Sequence, residues 1–210
     1  MTISLCMIVK NEEKLLNNFL RKINPFVDEI IIVDTGSKDK TKEISKKFTK
    51  NVYDFKWNND FSKARNFSIS KTTKKWILIM DIDEKVSYKD LKKLKDLTKT
   101  KEKSILGYRF IQKTKINGKT YIRGICRLFK NDKRIKFIYN VHETVKPNIE
   151  KLRGKIGKTG IIIIHKPKNI KNKSKYYLKL LKHKLEKHPN SSAKKEIMLE
   201  KEVLNAPGKI

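Results

Sequence analysis

The sequence predicts an α/β protein built on a mainly parallel sheet with helices on both faces, followed by a β-rich part and C-terminal helices. Three observations carry this. Short apolar, β-branched runs alternate with amphipathic segments over residues 1–85, which is the pattern of βαβ units. Acidic residues stand just past two of those runs, at Asp34 and Asp81, where open α/β sheets bind their ligands. After Asp83 the alternation gives way to longer β-rich stretches, and from Ile170 to helical periodicity.

Taken in order, Ile3–Val9 reads as a buried strand. Asn11 is expected to cap the next helix, which carries Leu15, Leu16, Phe19, Leu20 and Ile23 at helical spacing and stops at Pro25. Residues 29–33 form a second strand. The turn Asp34-Thr35-Gly36-Ser37 leads to a helix over 38–50 with Ile44 and Phe48 inward, where Ser37 or Asp39 can cap. A third strand over 51–55, a helix over 60–73 and a fourth strand over 76–80 complete the alternating part. Right-handed crossovers put the C-terminal ends of these strands on one edge, together with Lys10 and Asn11. Beyond it come a helix over 88–99 and two strands over 105–115 and 121–130, joined at Asn117-Gly118, a strong hairpin pair. Short strands are expected over 135–139, 141–145 and 160–164. A helix from Ile170 shows Tyr176, Tyr177, Leu180, Leu181 and Leu185 on one stripe, a second spans 194–204, and residues 206–210 read as a frayed tail.

A chain of 210 residues, 38% of them hydrophobic, can bury a sizeable core. Its 52 Lys and Arg against 22 Asp and Glu give a formal net charge of +30, which attracts polyanions. The lysines are spread along most of the chain, so a solvated surface accounts for most of them. The remaining expectation is peripheral association with an anionic membrane. No nucleic-acid-binding module is recognisable, and no specific nucleic acid is expected. Cys6 and Cys126 lack CxxC or Cys/His metal spacing and read as buried free thiols of a reducing compartment. No apolar run approaches the ~20 residues of a membrane span, and the N-terminus lacks the order of a signal peptide. The expectation is a cytoplasmic protein, peripheral at most to the inner face of the membrane.

The strongest chemical signal is Trp76-Ile-Leu-Ile-Met-Asp81-Ile-Asp83-Glu84. A buried strand delivers two carboxylates with one residue between them, so both can aim at one point. Mg²⁺ or Mn²⁺ takes hard oxygen ligands and bridges one or two carboxylates to a diphosphate. Asp34, at another strand end, can accept a hydrogen bond from a base N–H or a ribose hydroxyl. Arg65, one turn into the helix after Asp60, can fork onto a diphosphate or brace Asp81. His142 and His165 each follow an apolar strand and can join the metal shell. His183 and His188 lie among lysines on a helix and read as solvated.

Four segments, Ser4-Leu-Cys-Met-Ile-Val-Lys-Asn-Glu12, Val27-Asp-Glu-Ile-Ile-Ile-Val-Asp-Thr-Gly-Ser37, Asp60-Phe-Ser-Lys-Ala-Arg-Asn66 and Trp76-Ile-Leu-Ile-Met-Asp-Ile-Asp-Glu84, closely resemble family 2 glycosyltransferases of the GT-A fold, in the family's order and spacing. Arg127-Leu-Phe-Lys-Asn131 and Asn140-Val-His-Glu143 resemble the acceptor-side part of a bacterial and archaeal subgroup. The resemblance implies a GT-A, Rossmann-like domain over residues 1–165, with a donor-binding half over 1–85 and an acceptor-side half over 86–165. Residues 166–210 would be a helical extension. It implies a nucleotide-diphosphate sugar donor, commonly uridine-linked, transferred with inversion to an acceptor hydroxyl with Mn²⁺ or Mg²⁺. Val9, Asn11, Glu12 and Asp34 would meet the base and ribose. Arg65 would sit near the diphosphate, Asp81 and Asp83 would form the metal motif, with Asp83 the more direct ligand, and Glu143 would be the base, ahead of Asp60 and Glu84. The acceptor could be a lipid-linked glycan, a polysaccharide or a peptide. Two departures stand out: Ile82 is bulkier than the family's Ala, and Lys38 replaces an acidic turn residue. Other classes remain: a basic nucleic-acid- or membrane-binding protein, or a degenerate homologue that binds donor without turnover. A dehalogenase-type phosphatase is disfavoured by Lys85 and by the late position of the motif. A dinucleotide oxidoreductase is disfavoured by the lack of glycine in Lys10-Asn11-Glu12-Glu13.

Overall fold

Apolar side chains line both faces of Ile3–Val9, with Ile3, Leu5, Cys6 and Met7 fully buried, so this segment can only be a central strand. In the computed structural model, which describes residues 3–116, 118–167, 170–189 and 192–205, it is β1, with a parallel neighbour on each side. The neighbours are β2 (Glu29–Asp34) and β4 (Trp76–Ile79); β3 (Val52–Asp54) extends the parallel part beyond β2. The β-rich part continues the same sheet. β7 (Lys119–Lys130) runs antiparallel to β4, and β6 (Ile105–Ile116) pairs antiparallel with β7 as a long hairpin. β8 (Lys155–His165) lies parallel to β6, and β5 (Glu84–Val86) closes the far edge. The full order is β3-β2-β1-β4-β7-β6-β8-β5.

Helices cover both faces, as the sequence predicts. On one face, Leu16, Leu20 and Ile23 of α1 (Glu13–Ile23), Ile44 of α2 (Thr41–Lys46) and Leu91 and Leu94 of α4 (Tyr88–Leu97) pack on Leu5, Met7, Ile32, Leu78 and Phe110. On the other, Ile69 of α3 (Phe61–Ile69) and Ile149 of α5 (Lys146–Lys151) meet Cys6, Ile31, Ile77, Ile79 and Phe129. A third cluster joins Leu180, Leu181 and Tyr177 of α6 (Ile170–Lys187) and Ile197 of α7 (Ala193–Asn205) to Val141 and Phe61. Both cysteines are free, and burial pushes the Cys126 thiol up to about 12. Among the described residues no helix is long and apolar enough to cross a membrane.

The structure corrects several local expectations. Asn11 does not cap α1: it sits at φ +54, and Glu12, which precedes the helix, makes no capping hydrogen bond with its own side chain. The expected helix over 38–50 shortens to Thr41–Lys46; its start is delayed because the Asp39 carboxylate accepts from the backbone N–H groups of both Thr41 (3.0 Å) and Glu13 (3.2 Å), pinning the preceding residues as a loop. The strands expected over 135–139 and 141–145 reduce to one bridge between Ile138 and Thr144, since Tyr139 and His142 both have positive φ. Neither β5 nor α5 was expected, and β8 is longer than the strand expected over 160–164. Asn117 of the hairpin pair and the tail over 206–210 lie outside the described residues.

Candidate active site

The parallel register sets Val9 beside Asp34 at the C-terminal edge of β1 and β2. Asp34 is only 1% exposed. Its Oδ1 accepts from the backbone N–H of Gly36 (2.9 Å) and of Ser37 (2.7 Å), a turn that needs Gly36 at φ +105. Its Oδ2 is buried and accepts no hydrogen bond from the described residues. The Val9 carbonyl accepts from Thr35 N–H (2.9 Å) and Oγ1–H (3.1 Å). Asn11 N–H donates to Ser37 Oγ (2.9 Å), Asn11 Oδ1 accepts from Lys38 N–H (2.8 Å), and Glu12 N–H donates to Thr41 Oγ1 (2.7 Å). These bonds lock the two loops together around Asp34 and leave one carboxylate oxygen as a spare acceptor.

Asp81, just past β4, is gripped by two arginines. Its Oδ1 accepts from an Arg65 terminal nitrogen at 2.7 Å, and its Oδ2 from an Arg127 terminal nitrogen at 2.9 Å. Arg65 is placed by α3, whose first turn is capped by Asp60 Oδ1 accepting from Lys63 N–H (3.1 Å). Arg65 Nε donates to Glu143 Oε1 at 2.5 Å, so one guanidinium joins Asp81 to Glu143. Arg127 also donates to Glu84 Oε1, which accepts from Gln112 Nε2 (2.7 Å). Glu84 Oε2 accepts from the Asp81 backbone N–H (3.0 Å), and Arg123 Nε donates to Gln112 Oε1 (2.6 Å). Arg127 Nε is buried without an acceptor among the described residues.

Burial alone would push the Asp81 carboxyl up, but Arg65 and Arg127 outweigh it and hold it well below the usual carboxylate range. Burial would likewise weaken the Arg65 charge, yet Asp81 and Glu143 more than restore it. Glu84 goes the other way. Its burial, helped by the neighbouring Asp81 charge, pushes it up against the pull of Arg127.

Asp83 lies two residues on, and its side chain is 10% exposed. The register of β5 on β8 pairs Glu84 with His165, and that of β6 on β8 pairs Thr114 with His165. His165 Nε2 is thereby set 3.5 Å from Asp83 Oδ2, with Nδ1 3.0 Å from Thr114 Oγ1. The pair offers one oxygen and one nitrogen donor, a set that suits Mn²⁺ or, through the oxygen, Mg²⁺. Among the described residues no three His, Cys, Asp or Glu side chains form a ready cage. A cation here would take its remaining ligands from diphosphate and water, as Mg²⁺ commonly does.

The structure therefore brings Arg65, Asp81 and Glu143 together and sets Asp83 against His165. Of the two roles open to Arg65, it shows the brace on Asp81. Asp60 and Glu84, the alternatives to Glu143, are occupied by the α3 cap and by the Arg127–Gln112 network. His142 turns to α7: its Nδ1 is 3.3 Å from Glu196 Oε2 and its Nε2 3.7 Å from Glu200 Oε1. Burial disfavours its charged form, but these two carboxylates raise its pKa above the usual value. Sequence reasoning missed Arg127, Gln112 and Arg123 as members of this network. Arg127 does stand directly before the buried pair Leu128 and Phe129, but β7 also carries Lys119, Arg123 and Lys130, so its sequence does not single Arg127 out.

Residues 4–152 match the sequence pattern of Glycosyl transferase family 2. The chain belongs to that family. Among curated relatives, a TPR repeat-containing protein of Synechococcus elongatus is 34% identical over 143 residues, covering 68% of this chain and 35% of that protein. The SPbeta prophage-derived glycosyltransferase SunS of Bacillus subtilis is 36% identical over 104 residues, covering 48% and 24%. The chain thus spans about a third or less of the length of these relatives. Among solved structures, S. aureus TarS in complex with UDP-GlcNAc superposes with a TM-score of 0.61 at 15% identity, over 97% of this chain and 70% of that one. Glucosyl-3-phosphoglycerate synthase from Mycobacterium tuberculosis, with Mn²⁺, UDP-glucose and phosphoglyceric acid, gives 0.61 at 14% identity over 99% and 81%. At such identity these two show a shared GT-A fold.

Proposed function

We propose that this chain transfers a glycosyl group from a nucleoside-diphosphate sugar, with uridine as the expected nucleoside, to an acceptor hydroxyl, with inversion at the anomeric carbon. The observation that carries it is the pairing of two features on one sheet edge of a family 2 chain. A buried Asp34 keeps one unpartnered oxygen, and the Asp83–His165 pair lies beyond β4. Asp34 Oδ2 accepts from a base N–H or ribose hydroxyl. Asp83, with His165, would hold Mn²⁺ or Mg²⁺, which when bound neutralises charge on the leaving diphosphate.

The chain's own residues do the rest. Arg65 and Arg127 fix Asp81 and with it the turn that carries Asp83. Glu143, held by Arg65, takes the acceptor proton. The acceptor oxygen bonds to the anomeric carbon as the bond to the diphosphate breaks, and that electron pair leaves on the diphosphate. A single displacement inverts the centre.

The test is thermal stability against a panel of nucleoside diphosphates, with and without Mn²⁺, in wild type and Asp83→Ala. A ligand at 100 times its dissociation constant stabilises by about 2.7 kcal/mol. A Mn²⁺-dependent upward shift with one nucleotide, lost in Asp83→Ala, is expected. No shift with any nucleotide would favour a degenerate homologue or a basic binding protein. A full shift in Asp83→Ala would remove Asp83 as the metal ligand.

A further inference from the structure

Residues Tyr139–Glu143 carry the proposed base, and their backbone is unusual. Tyr139 has φ +73 and His142 φ +48. Residues other than glycine are uncommon in that region, a bulky tyrosine especially, and the surrounding structure commonly holds them there. Here α6 and α7 supply the hold. Lys184 Nζ, itself buried, stands 4.4 Å over the Tyr139 ring, and the His188 ring meets its edge at 5.1 Å. Asn140 Nδ2 donates to the Leu180 carbonyl (3.1 Å), while its own carbonyl accepts from Phe61 N–H (2.9 Å). Val141 is buried against Leu180 and Leu181. His142 lies between Glu196 and Glu200, with its ring edge-on to Tyr177 at 5.8 Å. Lys184 Nζ donates to Glu196 Oε2 (2.7 Å), so the same carboxylate joins α6, α7 and the loop. The next residue, Glu143, emerges onto Arg65. On the far side, Trp57 Nε1 donates to Tyr176 Oη (3.1 Å), and Tyr176 Oη donates to Asn59 Oδ1 (2.7 Å), fixing α6 to the segment before Asp60. The family match stops at residue 152, before both helices.

We propose that α6 and α7 complete the acceptor side of the site, and that Glu196 and Glu200 are positioning residues that set Glu143 through His142. The proposal rests on the reading of Glu143 as the base. Its test uses the full chain with Glu196→Gln/Glu200→Gln and, separately, His142→Ala, which leaves both carboxylates and Lys184 in place. Met198→Ala, at an exposed position of α7, is the control. A misplaced reacting group commonly loses ~10- to 100-fold in rate, and a fall of that size in kcat is expected in both variants. Donor KM and the Mn²⁺-dependent nucleotide melting shift stay as in wild type.

Unchanged kcat in either variant would overturn the proposal. So would joint loss of kcat, donor KM and the nucleotide shift, because the helices would then only support the fold. Glu143→Gln separates the two ideas. If it turns over as wild type does, the base reading falls and takes the positioning role of Glu196 and Glu200 with it. If it is inactive while Glu196→Gln/Glu200→Gln is fully active, only the positioning role falls.

Discussion

At the residue scale, the Asp81 network is balanced and largely buried, with Asp81 itself partly exposed, and such networks are sensitive to losing one member. Removing one partner of a buried ion pair leaves an uncompensated charge and costs about 3–5 kcal/mol, whereas removing both can be nearly neutral. Arg127 serves both Asp81 and Glu84. Arg127→Met is therefore expected to lower stability by about 3–5 kcal/mol. Adding Glu84→Gln should recover much of the loss, because Arg65 still satisfies Asp81. Urea denaturation of both variants checks this; equal midpoints for Arg127→Met and wild type would mean that the network carries little stability. Asp34, Asp81 and Asp83 were legible as candidate residues because a charge just past an apolar run stands out, whereas Arg65 was singled out by its place one turn after Asp60. Arg127 was not legible as part of the site: among 52 Lys and Arg, one more within a strand offered no contrast. Its role comes from β7 lying next to β4, a pairing that local periodicity does not encode.

At the element scale, α7 is tied to the body through groups that titrate. Burial opposes the charge on Glu196, but its hydrogen bonds to His142 and Lys184 prevail and hold its carboxyl down at about 2. A depressed carboxyl stabilises the folded state above its unfolded pKa, and that contribution is lost only as pH falls toward about 2. His142 is shifted upward, so its contribution is full below about 6.5 and is lost as pH rises through its folded value. The two conditions overlap in mildly acidic solution, where α7 should dock most firmly. Amide exchange in α7 is therefore expected to quicken from pH 6 to pH 9, beyond the intrinsic base catalysis of exchange, and His142→Ala should flatten that trend. Equal trends in the two proteins would show that Lys184 and apolar packing alone hold the helix. The loop that α7 grips is also where the sequence misled. Residues 135–145 are rich in strand-forming side chains, and two strands were expected. The positive φ at Tyr139 and His142 breaks extension, and those angles are imposed by tertiary contacts from α6 and α7. By contrast β1, β2 and β4 were legible because burial on both faces writes a continuous apolar run.

At the scale of the whole molecule, the formal net charge of +30 coexists with a proposed donor site that carries Asp34, Asp81, Asp83, Glu84 and Glu143. A diphosphate donor approaching those carboxylates alone would be repelled. The field of a strongly basic surface reverses this at long range and raises the local concentration of an anion. That field is screened by salt, with a Debye length of ~10 Å at 0.1 M and ~3 Å at 1 M. Interactions of Arg65 with Asp81 and Glu143 are less exposed to screening, since Arg65 is only 4% exposed. Capture and chemistry should therefore respond differently to ionic strength. Donor KM is expected to rise as salt increases from 0.05 to 0.5 M while kcat stays nearly constant. Steady-state kinetics over that range, with Mn²⁺ held saturating, reads both quantities. A flat KM would mean that the lysines serve only as a solvated surface and do not steer the donor. A kcat that fell with KM unchanged would instead place salt-sensitive charge at the chemical step, and the Arg65–Glu143 pair would be the first contact to re-examine.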